Sequence, residues 1–366
     1  MVDLLLNGKT FLVKCDACEA LVAQFNKQSS TTSNSDLACR EFVNWTGVDR
    51  QGMRFTSGFA VAFRLRRSKS RQLQRAGADL LHVVLLHPEL KHIERISVDV
   101  MTGLSEYCKA TDEEAACKAA KTMVAIFKKV LDTGILWTAE PVLPVLELLR
   151  NTEIFARVRS LIVRAIVVLA KEGESVLRLL SNAGAVKSIT LQLVVREDKN
   201  VPFDADDRNY VRVLTQICDA DHKRYEDVIL IGGAQRIIHI LRKHLVKPKD
   251  RPSFKIVPTE TLLADETLLP DEVEMQRRCM RFLERVLMKP ALRMSAFEAG
   301  TPLLYLDILE MDKSQQKVHA LAGLEQLCED ADIQAVWHTL GALVSMRMAG
   351  MLHTFAHNVE FQVRFC

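Results

Sequence analysis

The sequence predicts an all-α chain built from a helical unit that recurs along its length. Three observations predict it. Glycine (15) and proline (10) are scarce among 366 residues and aromatics make up only 6%, whereas average proteins carry roughly 7% glycine and 5% proline. Apolar residues recur at helical spacing over 155–171, 211–220, 274–288 and 318–328. A short glycine-containing phrase also returns several times, which is the signature to seek first in a long helical chain. Strands and turns consume glycine, proline and aromatics, so sandwiches, barrels and glycine-rich nucleotide folds are disfavoured. An apolar share of 48% excludes a disordered chain.

Charge narrows the function. Forty-nine Lys and Arg against 46 Asp and Glu leave a net +3, too little for a dedicated nucleic-acid binder. The first residues, MVDLLLNGK, carry Asp3 and no basic run, so neither a secretory signal nor a transit peptide is expected. No run of about 18 uncharged apolar residues occurs, so no membrane partner is expected. Nine scattered cysteines read as reduced thiols of an intracellular, cytoplasmic protein. The sequon Asn44-Trp45-Thr46 is then a chance match.

Along the chain, residues 1–74 read as an irregular N-terminal helical region with a mobile loop over 26–56, Ser/Thr/Gln-rich across 26–34. Arg64, Arg66, Arg67, Lys69, Arg71 and Arg75 then place six cations in twelve residues. On one helix, Arg64, Arg67, Arg71 and Arg75 would share a face open to phosphate, RNA or acidic tails. Repeats are expected over 75–350. The phrase is a small residue, Gly, then apolar residues ending in Leu. It occurs at Ala76-Gly77-Ala78, Ala183-Gly184-Ala185, Gly232-Gly233-Ala234, Ala299-Gly300-Thr301 and Gly341-Ala342-Leu343, with a glycine-free copy at Ala139-Glu140-Pro141. Counted at 77, 140, 184, 233, 300 and 341, the separations are 63, 44, 49, 67 and 41 residues. Three of them sit near the roughly 40 to 47 residues of two- or three-helix repeats. The two long intervals hold extra sequence: an acid- and Ala-rich stretch at 111–120 and a Pro-marked insert at 247–272. Within and beyond that insert, 259–275 alternates acids with Leu pairs, as a docking segment, a self-ligand or a plain linker would. Residues 351–366 read as a C-terminal cap.

With an amphipathic helix before each glycine, the pattern resembles the armadillo repeat family, whose consensus runs roughly A-x-W-A-L-x-N-L-A, a linker, then A-G-A-I-P-x-L-V-x-L-L. A HEAT-type solenoid is the alternative. The resemblance implies a right-handed α-solenoid with a concave groove, and a protein-protein interaction scaffold or adaptor. In members that bind extended peptides, a Trp and an Asn four residues later line that groove. Here the Asn slots are Val168, Gln216, Arg285 and Gln326, with Ala125 in a less regular copy. The Trp slots are Arg164, Arg212, Arg281 and Ala322, with Lys121 in that copy. Both ladders are missing, which argues against a nuclear-import adaptor. A row of Lys121, Arg164, Arg212 and Arg281 would attract acidic segments of a partner. Family usage points to adhesion, transport, chaperoning, or a subunit of a cytoskeletal or ciliary assembly. Oligomeric state is not readable.

Catalytic fragments fail on context, and neither a catalytic residue nor a cofactor or metal is expected. Gly8-Lys9-Thr10 ends like a phosphate loop but has Asp3 where the earlier glycine belongs. Cys15-Asp16-Ala17-Cys18 is a single CxxC without a second pair. Asp132-Thr133-Gly134 lies where a helical run stops. His353 and His357 lack the glutamate of HExxH, and His82, His87 and His92 scatter round a helix. Asp204, Asp206 and Asp207 lack a calcium-loop glycine and read as the cap of a helix near Arg208.

Overall fold

The computed structural model describes residues 1–26, 33–88, 90, 96–131, 138–151, 153–244, 270–309 and 316–336. They divide into two compact units, Met1–Ser188 and Ile189–Cys366. Among the described residues the chain is helical apart from one two-stranded hairpin.

Unit 1 opens with α1 (Val2–Asn7), α2 (Phe11–Asn26) and α3 (Ser33–Val43), followed by the hairpin β1 (Gly47–Val48) and β2 (Arg54–Phe55). Three layers of a short and a long helix follow: α4 (Gly58–Arg64) with α5 (Arg71–Leu85), α6 (Val98–Tyr107) with α7 (Glu113–Leu131), and α8 (Leu143–Arg150) with α9 (Ala156–Ala170). The long helices α2, α5, α7 and α9 pack side by side in that order, and the short helices α4, α6 and α8 do the same behind them. Starts follow local chemistry. Ser57 caps α4 through Ala60 N, Ser70 caps α5 through Leu73 N, and Ser97 caps α6 through Val100 N.

Like lies on like in unit 2 as well, with a third helix in each layer. The joining segment is α10 (Glu174–Asn182) and α11 (Ala185–Asp198), the division between units falling inside α11. The long helix α12 (Ala205–Ala220) comes next. Then follow α13 (Arg224–Ile231), α14 (Gly233–His244) and α15 (Pro270–Leu287), and finally α16 (Pro290–Glu298), α17 (Thr301–Leu309) and α18 (Lys317–Cys328). Helix α13 packs on α16, α14 on α17, and α12 on α15 on α18. The short first helix of each layer ends at a glycine in the left-handed region: Gly184 at φ 82°, Gly232 at 93° and Gly300 at 96°. This order of short helix, glycine joint, second helix and long helix is armadillo-like.

Several expectations are corrected. Gly77 is not a joint: it sits inside α5, where a Cβ would meet the Tyr107 hydroxyl at 2.5 Å and Leu65 Cβ at 3.0 Å. The phrase recurs there because close helix packing asks for the same small residues as a turn does. The loop expected over 26–56 is not continuous, because α3 and the hairpin interrupt it; Ala38, Cys39 and Phe42 recur at helical spacing and are buried. Layering begins at α4, ahead of the expected residue 75. Most of the insert 247–272, the third copy of the expected triplet of histidines (His92), Asp132-Thr133-Gly134, Gly341 and the cap 351–366 lie outside the described residues. The last acids of the 259–275 stretch begin α15.

Buried polar clusters tie the layers. In unit 1, Gln74 Nε2 donates to Ser68 O (2.7 Å) and Thr111 Oγ1 (2.9 Å), while its Oε1 accepts from Asp112 N (2.9 Å). Tyr107 Oη donates to Gln74 O at 2.7 Å. Asp112 caps α7 through Ala115 N and accepts both arms of the Arg75 fork at 2.9 Å, which holds its carboxyl below the usual range. In unit 2, Asp204 caps α12 in a reciprocal box with Asp207. Asp207, fully buried, accepts bidentate forks from Arg196 (3.0 and 3.0 Å) and Arg236 (3.1 and 2.7 Å). Burial works against the Arg196 charge, but the hydrogen bonds to Asp207 and Asp204 outweigh it and raise its pKa.

Two predictions follow from these contacts. Asp207→Ala leaves two buried guanidinium groups facing each other, and should destabilise unit 2 by about 3–5 kcal/mol. Hydrogen exchange across α11–α14 reads this directly, and wild-type protection there would contradict it. Gly77→Ala improves helix propensity yet forces Tyr107 off Gln74, so a net loss of about 1–3 kcal/mol is expected from the shift of the urea midpoint.

Candidate partner-binding faces

Packing leaves part of each long helix exposed, and the candidate residues lie on these helices, some exposed and some half-buried. In unit 1, α7 exposes Lys121 and α9 exposes Arg164, while Val168 and Ala125 are half-buried. A depression of about 300 Å³ over α5, α7 and α9 is lined by Arg75, Asp79, Glu114, Lys118, Lys121 and Arg157. Its charge is mixed. Glu114 pairs with Arg75 (2.7 Å), Asp79 with Lys118 (2.9 Å) and Glu113 with Arg157 (3.8 Å). Among the described residues, Lys121 and Arg164 have no ion pair.

In unit 2 the open side belongs to α12, α15 and α18. Helix α15 exposes Arg277, Arg281 and Arg285 at helical spacing, and Met288 just beyond its end is exposed as well. Arg277 reaches Glu274 at 3.7 Å, whereas Arg281 and Arg285, one turn apart, have no ion pair among the described residues. On the neighbouring α12, Arg212 and Gln216 are half-buried, and Arg212 Nε is buried without a hydrogen-bond partner among the described residues. Gln326 on α18 likewise has a buried, unpartnered Oε1, and Ala322 beside it is half-buried.

The basic cluster 64–75 does not form one helical face. Arg64 ends α4, Arg67 lies in the turn Leu65–Arg67, and Ser70 starts a new helix whose first residue is Arg71. Serine side chains compete for backbone groups at 68–70 and break the run. The cations then diverge: Arg64 pairs with Asp49, Arg66 with Glu106 at 2.7 Å, and Arg75 with Asp112 and Glu114. Arg67 and Arg71 remain exposed.

Two of the fragments with a catalytic or metal-site look have structural roles. Asp204, Asp206 and Asp207 begin α12, with Asp204 as its cap. Cys15 and Cys18 are buried, and burial pushes the Cys18 thiol up to about 12, where it is no nucleophile. The eight described cysteines are all free. No described group of three or more His, Cys, Asp or Glu could hold a metal ion, and no described helix is long and apolar enough to cross a membrane.

One histidine borders the unit 1 depression. Thr122 Oγ1 donates to Lys118 O at 2.8 Å, so it accepts from His82 Nδ1–H at 2.9 Å. Burial lowers the His82 pKa below 6.5, Lys118, Lys121 and Lys129 add to the fall, and Asp79 opposes it. The unfolded chain therefore binds this proton first. Its contribution to stability is complete above about pH 6.5 and is lost as the pH falls toward the folded-state pKa. His82→Gln, which keeps a donor for Thr122, should flatten the dependence of the urea midpoint on pH below about 6.5. Parallel wild-type and variant curves would exclude His82 as its source.

No known protein-family profile and no curated protein matches the chain. Solved structures do. An engineered protein is similar at 16% identity and TM-score 0.43, covering 96% of this chain and 73% of that one. A computationally designed armadillo repeat protein for modular peptide recognition matches at 14% identity and TM-score 0.41, over 84% of this chain and 98% of its own. A designed armadillo repeat protein in complex with a (KR)4 peptide matches at 14% identity and TM-score 0.41, over 74% and 99%. At such scores the overlays do not define the fold; the order and stacking of the layers do.

Proposed function

We propose that this chain is a non-enzymatic scaffold or adaptor that binds acidic segments of partner proteins along the open sides of its long helices. The observation that carries this reading is on unit 2. Arg281 and Arg285 are exposed, one turn apart and without an ion pair among the described residues, and half-buried Arg212 lies on the helix packed against theirs. A partner carboxylate pairs with the exposed guanidinium groups. Gln216 and Gln326 offer amides to an extended partner's backbone. Lys121 and Arg164 form a separate patch on unit 1. The acidic tails of cytoskeletal filaments, in the cytoplasm or a cilium, are the partner class to assay first, in keeping with a subunit of a larger assembly.

A fluorescent Glu-rich peptide of tubulin-tail composition tests this. Reversing Arg281 and Arg285 to Glu should weaken its binding about tenfold, two exposed ion pairs contributing up to about 1 kcal/mol each, and raised salt should weaken wild-type binding. Unchanged affinity in the double variant would refute the reading. Binding of single-stranded RNA that is lost on reversing Arg64, Arg67 and Arg71, with the peptide unaffected, would favour the alternative of an RNA- or phosphate-binding solenoid.

A further inference from the structure

Away from the long-helix faces, unit 1 holds an open cavity of about 410 Å³ bounded by α1, the start of α2, the hairpin tip, α4 and the start of α5. Lys14, Arg50, Arg64 and Arg67 line it, with Asp49 as the single carboxylate in its wall. We propose that this cavity binds a polyvalent phosphate of the inositol-polyphosphate class, free or as the headgroup of a lipid.

The cations are gathered from three distant segments and held mainly by neutral partners. Lys14 Nζ donates to Leu6 O at 3.1 Å and Arg50 NH2 donates to Asn7 O at 2.5 Å. Carbonyls fix the position of these groups and leave their charge uncompensated. Asp49 is already engaged: its Oδ1 accepts from Gln51 N (2.9 Å) and Met53 N (2.8 Å) to fold the hairpin tip, and its Oδ2 takes Arg64. Arg67 is exposed and has no ion pair among the described residues. The concentration of like charge registers on Lys14, whose pKa is lowered by burial and then by Arg64 and Arg50. An anion entering the cavity relieves that repulsion.

The ligand class follows from charge, shape and lining. One carboxylate compensates a single cation, whereas several phosphate charges match the excess. Asn7 Oδ1 is buried in the wall without a partner among the described residues, an acceptor suited to a hydroxyl between phosphates. The lining contains no aromatic ring, so a nucleotide base finds no stacking surface there. On the same two helices, α1 and α2, Leu4, Phe11 and Leu12 are 47%, 49% and 53% exposed, apolar side chains available to the acyl chains of a lipid-borne headgroup.

Calorimetry of the full chain with inositol hexakisphosphate, and sedimentation with phosphatidylcholine vesicles with and without phosphatidylinositol bisphosphate, test the site. Saturable binding is expected in at least one arm, and the arm that binds identifies the source of the phosphate. Lys14→Gln and Arg67→Glu should each weaken it about tenfold, the loss of one charge-assisted contact. Arg67→Glu leaves every described hydrogen bond intact, so helical circular dichroism should match wild type. Arg281→Glu, on unit 2, should leave the affinity unchanged, which separates this site from the proposed peptide-binding face. Absence of binding in both arms, affinity unaltered in both cavity variants, or inorganic phosphate binding as tightly as the hexakisphosphate would overturn the proposal.

Discussion

No layer of this protein can bury its own apolar surface. Helix α7 shows the constraint most clearly. Ala115, Ala116, Ala119, Ala120, Met123, Ile126 and Phe127 are each at most 1% exposed, and α5 and α9 supply the cover from opposite sides. Burying a side chain such as Met, Ile or Phe contributes about 1.5–3 kcal/mol relative to leaving it in water, and that contribution vanishes if either neighbour is removed. Small residues on α7 let both neighbours approach. Stability is therefore shared between adjacent layers, as in other stacked-repeat proteins, and each long helix has only one side left for anything else.

Apolar contact alone would let such helices slide, because it has no direction. The buried polar clusters remove that freedom. Gln74 and Asp112 bind α5, α6 and α7 into one register, through the Gln74 carbonyl that takes the Tyr107 hydroxyl of α6 and the Asp112 and Ala115 backbone N–H groups at the start of α7. Asp207 gathers forks from α11 and α14 at the first turn of α12. Both clusters are anchored on an aspartate at a helix start, the cap Asp112 and the first-turn Asp207, where the backbone already favours negative charge. The consequence for function is a division among the arginines. Those paired with such an aspartate hold layers together, whereas Arg164 on α9 and Arg281 and Arg285 on α15 are exposed without an ion pair among the described residues.

How much of this was legible depended on the reach of each interaction. Gly184 and Gly300 were readable as joints, because a left-handed residue next to a helix end is a local requirement that glycine meets best. At Gly232-Gly233 the left-handed residue is the first of the pair, one position before the one counted. Gly77 carries the same phrase and does the opposite job, since the need it answers comes from Tyr107, thirty residues away in sequence. The cap at Asp204 was legible and the role of Asp207 was not, for its partners Arg196 and Arg236 lie on different helices. Among the candidate binding residues, Lys121, Arg164, Arg281 and Arg285 lie on exposed helix surface, whereas Arg212 is half-buried. The neutralisation of Arg64, Arg66 and Arg75 by Asp49, Glu106 and Asp112 was invisible in the local run of charge.

Composition and periodicity sufficed for the helical class, the recurrence of the unit and the position of several joints. Each of these is set by backbone conformation and side-chain pattern within a few residues. Which cations remain available, which glycine packs rather than turns, and where Lys14, Arg50 and Arg67 meet were decided by contacts between segments distant in sequence. Electrostatic pairing and steric fit depend on distance in space, and a linear pattern carries that distance only where the chain is locally regular.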